Sequence, residues 1–131
     1  MNIELLLKKS GKSVTEERKQ IFSFLETKHI FSAQDIVENF ANIGRASVFR
    51  TLNLFLEIGI IRRVNIGKKE EFFELIHDNH HHEHMRCESC DRIMSFESSK
   101  ICEILFDIAK EYQFEIKEHN ISLIGRCTQC R

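Results

Sequence analysis

His80-His81-His82-Glu83-His84-Met85-Arg86-Cys87-Glu88-Ser89-Cys90 sets four imidazoles, a carboxylate and a Cys-x-x-Cys pair within one short stretch. Such a density of nitrogen, oxygen and sulfur donors points to metal. A second pair, Cys127 and Cys130, repeats the same spacing, and two such pairs supply the four thiolates of a closed, tetrahedral zinc site. A closed site leaves no position for water. Cys87, Cys90, Cys127 and Cys130 are therefore expected to hold a structural Zn2+ that fastens the C-terminal strand to the strand after the histidines.

The histidines are more informative if the chain there is extended, because side chains two residues apart then share a face. His80, His82 and His84 would point one way, and His81 and Glu83 the other. One strand would thus feed two nitrogen/oxygen sites on opposite faces. Imidazole with carboxylate suits iron, zinc, manganese, cobalt or nickel, and affinity order does not choose among them.

Upstream, the hydrophobic spacing changes from helical to strand-like. Ile3, Leu6 and Leu7 mark a short amphipathic helix stopped at Gly11. Thr15 caps a second helix whose first turn holds Glu16 and Glu17, where carboxylates favour the positive end of the helix dipole. Ser32 with Asp35 forms a capping box for a third helix carrying Ile36, Val37 and Phe40. After Gly44 a fourth runs from about Arg45 to Ile58, with Val48, Leu52, Phe55 and Leu56 inward and Gly59 as its stop. Strands over Ile60–Ile66 and Glu71–Ile76 then flank Gly67-Lys68-Lys69-Glu70 as a hairpin with a basic tip.

Helices followed by such a hairpin predict a winged helix-turn-helix. Its recognition helix would present Arg45, Ser47, Phe49 and Arg50 to base edges in a DNA major groove, while cations grip phosphate. Lys12, Arg18, Lys68 and Lys69 are the phosphate-binding candidates, with Lys8, Lys9, Arg62 and Arg63 beside them. Beyond Cys90 the pattern reads strand (Ile93, Met94, Phe96), helix (Ile101, Ile104, Leu105, Ile108, Tyr112) and a strand over Phe114–Ile124. The fold class expected is α+β, divided at residues 1–77 and 78–131. A C-terminal domain of about 55 residues buries little apolar surface, and zinc or a partner chain would stabilise it.

Composition agrees with this division. Residues 1–70 carry 12 Lys/Arg against 8 Asp/Glu, and residues 71–131 carry 7 against 12, so a half at +4 precedes a half at −5. A polyanion-facing N-terminal part and a cation-binding C-terminal part follow. The sequence holds no run of about 18 apolar residues and no signal-peptide core, which leads to the expectation of a cytoplasmic protein. In a reducing compartment five cysteines are metal ligands or redox centres rather than disulfides. A hydrolase or oxygenase with an open metal position is the alternative. No separate general base or pocket-building insertion stands out for it.

Taken in order, Arg45-Ala-Ser-Val-Phe-Arg-Thr-Leu-Asn-Leu-Phe55, the wing segment Phe72-Phe73-Glu74-Leu75, the histidine-cysteine block and His119 eight residues before Cys127 resemble the ferric uptake regulator family of repressors. The resemblance covers nearly the whole chain. It implies a homodimer with an N-terminal winged helix and a C-terminal α/β dimerisation domain, whose binding to a double-stranded operator is controlled by a divalent metal (Fe2+, Zn2+ or Mn2+). It further implies a regulatory site on Glu74, His82 and His84, completed by His29 or another N-terminal group, and a second site on His81, Glu83 and His119. A peroxide-sensing branch using histidine-bound ferrous iron is the near alternative; its usual Asp at the place of Glu74 argues for plain metal sensing. The chain departs from the family at Ile30 (often His), Ser95 (often acidic, with Glu97 two residues on), Cys102 (often acidic, with Glu103 beside it), Glu17 (Pro) and Phe49 (Tyr).

Overall fold

In the computed structural model, residues 2–76 and 82–131 are described. The ligand expectations placed on His80 and His81 lie outside them. By its contacts the chain forms two compact units, Met1–Val64 with Lys69–Ile76 and Asn65–Lys68 with His77–Arg131.

The first unit is built on four helices, three of them with side-chain caps at their starts. In α1 (Ile3–Lys9) the Asn2 side chain accepts the Leu5 N–H, and in α2 (Glu16–Leu25) Thr15 accepts that of Arg18. These side chains satisfy donors that a helix start leaves unpaired. β1 (Phe31–Ser32) leads into α3 (Ala33–Asn39), whose Ser32/Asp35 capping box is complete in both directions. α4 (Arg45–Glu57) begins at Gly44 without a side-chain cap. It ends before Gly59, where φ is +77°, a left-handed stop that glycine adopts without a Cβ clash.

β2 (Ile61–Val64) and β3 (Phe72–Leu75) follow as an antiparallel pair, and β1 adds to the far side of β3, giving the order β1-β3-β2. Both strands are shorter than the expected hairpin arms, and β1 had no signal because two residues carry no period. Leu7, Ile21, Phe22, Leu25, Ile36, Val48, Phe55 and Phe73 make the core, with Phe22 and Phe55 edge to face at 6.3 Å between centroids.

The second unit is a three-stranded sheet with one helix. β4 (Glu83–Cys87) lies between antiparallel β5 (Ile93–Phe96) and parallel β6 (Ser122–Gly125), and α5 (Ser99–Glu111) lies within the crossover that a parallel pair requires. The strand expected over Phe114–Ile124 is corrected: only its end is a strand. Gln113 turns left-handed at φ 53°, and the Phe114 N–H bonds back to the Ala109 carbonyl at 2.7 Å. That closure caps α5 and consumes the backbone that a longer strand would use. Of α5 only Ala109 is buried, while Ile104, Ile108 and Tyr112, one stripe at four-residue spacing, stand exposed.

Asn65–Lys68, expected at the wing tip, packs within this unit. The Ile66 carbonyl accepts from Arg86 Nε at 2.8 Å, the Asn65 carbonyl from the Ser122 hydroxyl, and Lys68 Nζ stands 3.7 Å from Asp91. Among the described residues no helix is long and apolar enough to cross a membrane.

Candidate metal centres and nucleic-acid surface

β4 ends at Cys87, and the turn after it brings Cys90 back so that its N–H faces Cys87 Sγ at 3.5 Å. Asp91, at φ 60°, closes that turn with its N–H on the Cys87 carbonyl. The second pair follows β6, which lies against β4, and the Cys127 N–H reaches Cys87 Sγ at 3.4 Å. All four sulfurs lie within 4.8 Å of one another. Thiolates about 2.3 Å from a common tetrahedral ion stand about 3.8 Å apart, and Cys90 Sγ to Cys127 Sγ is 3.9 Å. The donors thus fit zinc.

Their protons tell the same story. The N–H groups of Cys127 and then Cys90 pull the Cys87 thiol down from 9.0 to about 6, and Cys127 is lowered chiefly by the Cys130 thiol beside it. Cys130, donating first to Cys127 and then to Cys87, is pushed up to about 12. Four thiolates cannot crowd together without a cation to neutralise them.

The alternation expected of the histidine stretch holds from Glu83 onward. Glu83 and His84 are both buried, at 3% and 1% exposure, and point to opposite faces of β4. On one face His84 Nδ1 meets Ser95 Oγ at 3.1 Å, its cross-strand partner, and His82 Nδ1 lies 3.4 Å from Glu97. Glu97, two residues beyond Ser95 and just past the end of β5, thus stands within reach of His82. On the other face Glu83 Oε2 accepts the Ile121 N–H at 2.9 Å and Oε1 stands 3.5 Å from His119 Nε2. Buried carboxylates require such partners.

Glu74 belongs to the first unit. It is 4% exposed on β3 and pairs across the strands with Arg62, whose Nε donates to Oε1 at 2.5 Å. His29 is exposed, ahead of β1.

The recognition-helix expectations fall on one exposed end. Arg45, Phe49 and Arg50 are exposed on the first turns of α4 and Ser47 is half-buried. Arg45 lies 5.4 Å from the Phe49 ring centroid and donates to Gln34, while Arg50 donates to the Ser47 hydroxyl at 2.9 Å. These contacts orient the cations without burying them. Arg18 donates to the Ser13 carbonyl at 2.5 Å, Lys12 lies 3.9 Å from Glu57, and Lys69 is exposed. Lys68 is engaged with Asp91, so the two lysines of the expected tip divide between the units. Sequence reasoning missed Arg86, which ties Ile66 and Asp91 to β4; a lone cation inside a metal-ligand stretch gives no signal of that role.

Comparison with known proteins fits this arrangement. Residues 9–124 match the model of the ferric uptake regulator family. The Haemophilus influenzae ferric uptake regulation protein is 35% identical over 94% of this chain and 88% of its own length. The Vibrio cholerae ferric uptake regulator, whose structure was described with a rearrangement of its DNA-binding domains, is 30% identical with a TM-score of 0.83, covering 96% of this chain and all of that one. The Pseudomonas aeruginosa regulator, solved with manganese, reaches the same TM-score at 28% identity, covering 98% and 99%.

Proposed function

The chain belongs to the ferric uptake regulator family, and on that premise we propose that it is a cytoplasmic homodimeric repressor whose binding to operator DNA is switched by a divalent metal. The observation that supports this most directly is β4, whose alternate side chains serve two donor sets and whose last residue enters the four-sulfur cluster. Cys87, Cys90, Cys127 and Cys130 would hold structural zinc. Glu74, His82 and His84, with His29 or Glu97, would hold the regulatory ion, and His81, Glu83 and His119 a second one.

The ion supplies differential affinity. A site that draws ligands from both residues 1–77 and residues 78–131 is filled best in the conformation where those ligands converge, so metal concentration selects that conformation. The chain's own groups do the rest. Arg62 fixes one oxygen of Glu74, Ser95 fixes the His84 ring, and Arg45, Ser47, Phe49 and Arg50 face the groove while Lys12, Arg18, Lys68 and Lys69 meet phosphate. The exposed stripe of α5 and the edge strand β6, with Leu123 and Ile124 half-exposed, fit a second copy of the chain.

The test is anaerobic fluorescence anisotropy of zinc-loaded protein on DNA from its own upstream region, titrated in turn with ferrous iron, manganese and zinc. One metal should tighten binding at least tenfold, and His82→Ala should abolish that response with melting unchanged. Binding that no metal or chelator alters refutes the switch.

A further inference from the structure

We infer that Gln34 is a positioning residue for DNA readout: backed by Glu38, it holds the guanidinium of Arg45 so that Arg45 selects a guanine in the major groove. The inference deepens the reading above and rests on α4 entering that groove. Arg45 Nη1 donates to Gln34 Oε1 at 3.1 Å, and Gln34 Nε2 donates to Glu38 Oε1 at 3.2 Å. The guanidinium also lies 5.4 Å from the ring centroid of Phe49, one turn further along α4.

Each link has one direction. A carboxylate only accepts and a guanidinium only donates, so Glu38 and Arg45 together fix which end of the Gln34 amide faces which neighbour. A flipped amide would set its NH2 against the guanidinium and its oxygen against the carboxylate. Gln34 thereby restrains one end of the arginine fork, and the Phe49 ring attracts its face. Ordering a long side chain on binding costs affinity. Here part of that ordering precedes binding.

Position and charge indicate what Arg45 meets. It is exposed, opens α4 directly after Gly44, and has no side-chain cap before it and no acid in its turn. A cation there opposes the positive end of the helix dipole. Such a local conflict marks function rather than stability. The N-terminal residues of a recognition helix read base edges. With Nη1 turned to Gln34, the edge formed by Nε and Nη2 is left for two adjacent acceptors, and in the major groove guanine alone among the bases offers that pair, O6 and N7. Arg50 instead donates to the Ser47 hydroxyl on its own helix.

The experiment is selection of duplexes randomised over about 20 base pairs, room for two half-sites one turn apart, by full-length zinc-loaded protein saturated in turn with ferrous iron, manganese and zinc. Anisotropy on the selected duplex, its single-base variants and a scrambled duplex follows. Arg45→Ala should lose about 5- to 150-fold of discrimination at one G·C pair in each half-site. Gln34→Met, which keeps the length and removes the polar atoms, should lose about 2- to 12-fold at that same pair. Its affinity for the scrambled duplex, its salt dependence and its melting should match wild type. Gln34→Glu keeps an acceptor for Arg45 and should keep the guanine preference, with weaker binding to every sequence alike because of its added charge. An Arg45→Ala protein that binds all sequences more weakly, with a salt slope shallower by about 1, has lost a phosphate contact, which overturns the guanine readout. Loss of preference at a pair other than G·C overturns it too. A Gln34→Met protein with wild-type discrimination overturns the positioning role alone. If wild type enriches no sequence with any metal, the repressor reading itself falls.

Discussion

Cys90 shows how much one side chain decides. It is exposed, packs no core, and its sulfur meets that of Cys127 at 3.9 Å. Its importance is entirely chemical. Cys90→Ser is expected to lose zinc and with it the cooperative unfolding of residues 82–131, a loss of at least about 4 kcal/mol, the stabilisation a ligand gives at a thousand times its dissociation constant. Metal analysis with calorimetry checks this, and unchanged zinc content with unchanged melting would remove the structural assignment. At the same scale, where Ser95 departs from the family pattern, its hydroxyl meets the His84 ring, and Glu97 lies 3.4 Å from His82. Both the substitution and its neighbour were visible in the sequence. That Ser95 stands opposite His84 was visible only once the strand's register with β4 was known.

Helix starts were the most legible elements, because a cap is a local event. Thr15 and Ser32 do what their residue types and spacing announce, and α2 and α3 begin where expected. Ser32→Ala should cost about 1 kcal/mol, lowering the melting temperature of the first unit by about 4–8 °C; differential scanning calorimetry reads it, and no change would mean that β1 pairing alone sets that junction. Ser32 is also paired with Phe72 in the sheet, so its loss touches two elements. The segment after α5 was misread for the opposite reason. Its alternation of Phe114 and Ile116 with charged neighbours is a strand pattern, but Phe114 is 68% exposed, and the left-handed turn at Gln113 is set by the end of a helix rather than by strand propensity.

Across the molecule, the helix-to-hairpin order was legible from period. The destination of Asn65–Lys68 was not. Its contacts to Arg86, Ser122 and Asp91 join residues far apart in sequence, which no local pattern encodes. The exposed stripe of Ile104, Ile108 and Tyr112 gives the remaining prediction at this scale. A single chain leaves that face in water, whereas a dimer interface of standard size removes about 800 Å² per partner. Ile108→Glu should therefore shift the protein from dimer to monomer in sedimentation velocity and weaken operator binding at least tenfold. A wild-type chain that sediments as a monomer would refute the pairing.

The alternation along β4 also has a consequence for inheritance. Side-chain direction there depends on whether a residue's number is odd or even, so Glu83 and His84 serve different neighbours by parity alone. A point mutation alters one donor, but losing a single codon between Met85 and Cys87 reverses the parity of every residue on one side of the gap. The carboxylate would then face Ser95 and the imidazole His119, or the cysteine would leave its cluster. Substitutions can retune these sites one at a time, whereas a one-residue deletion disrupts them together.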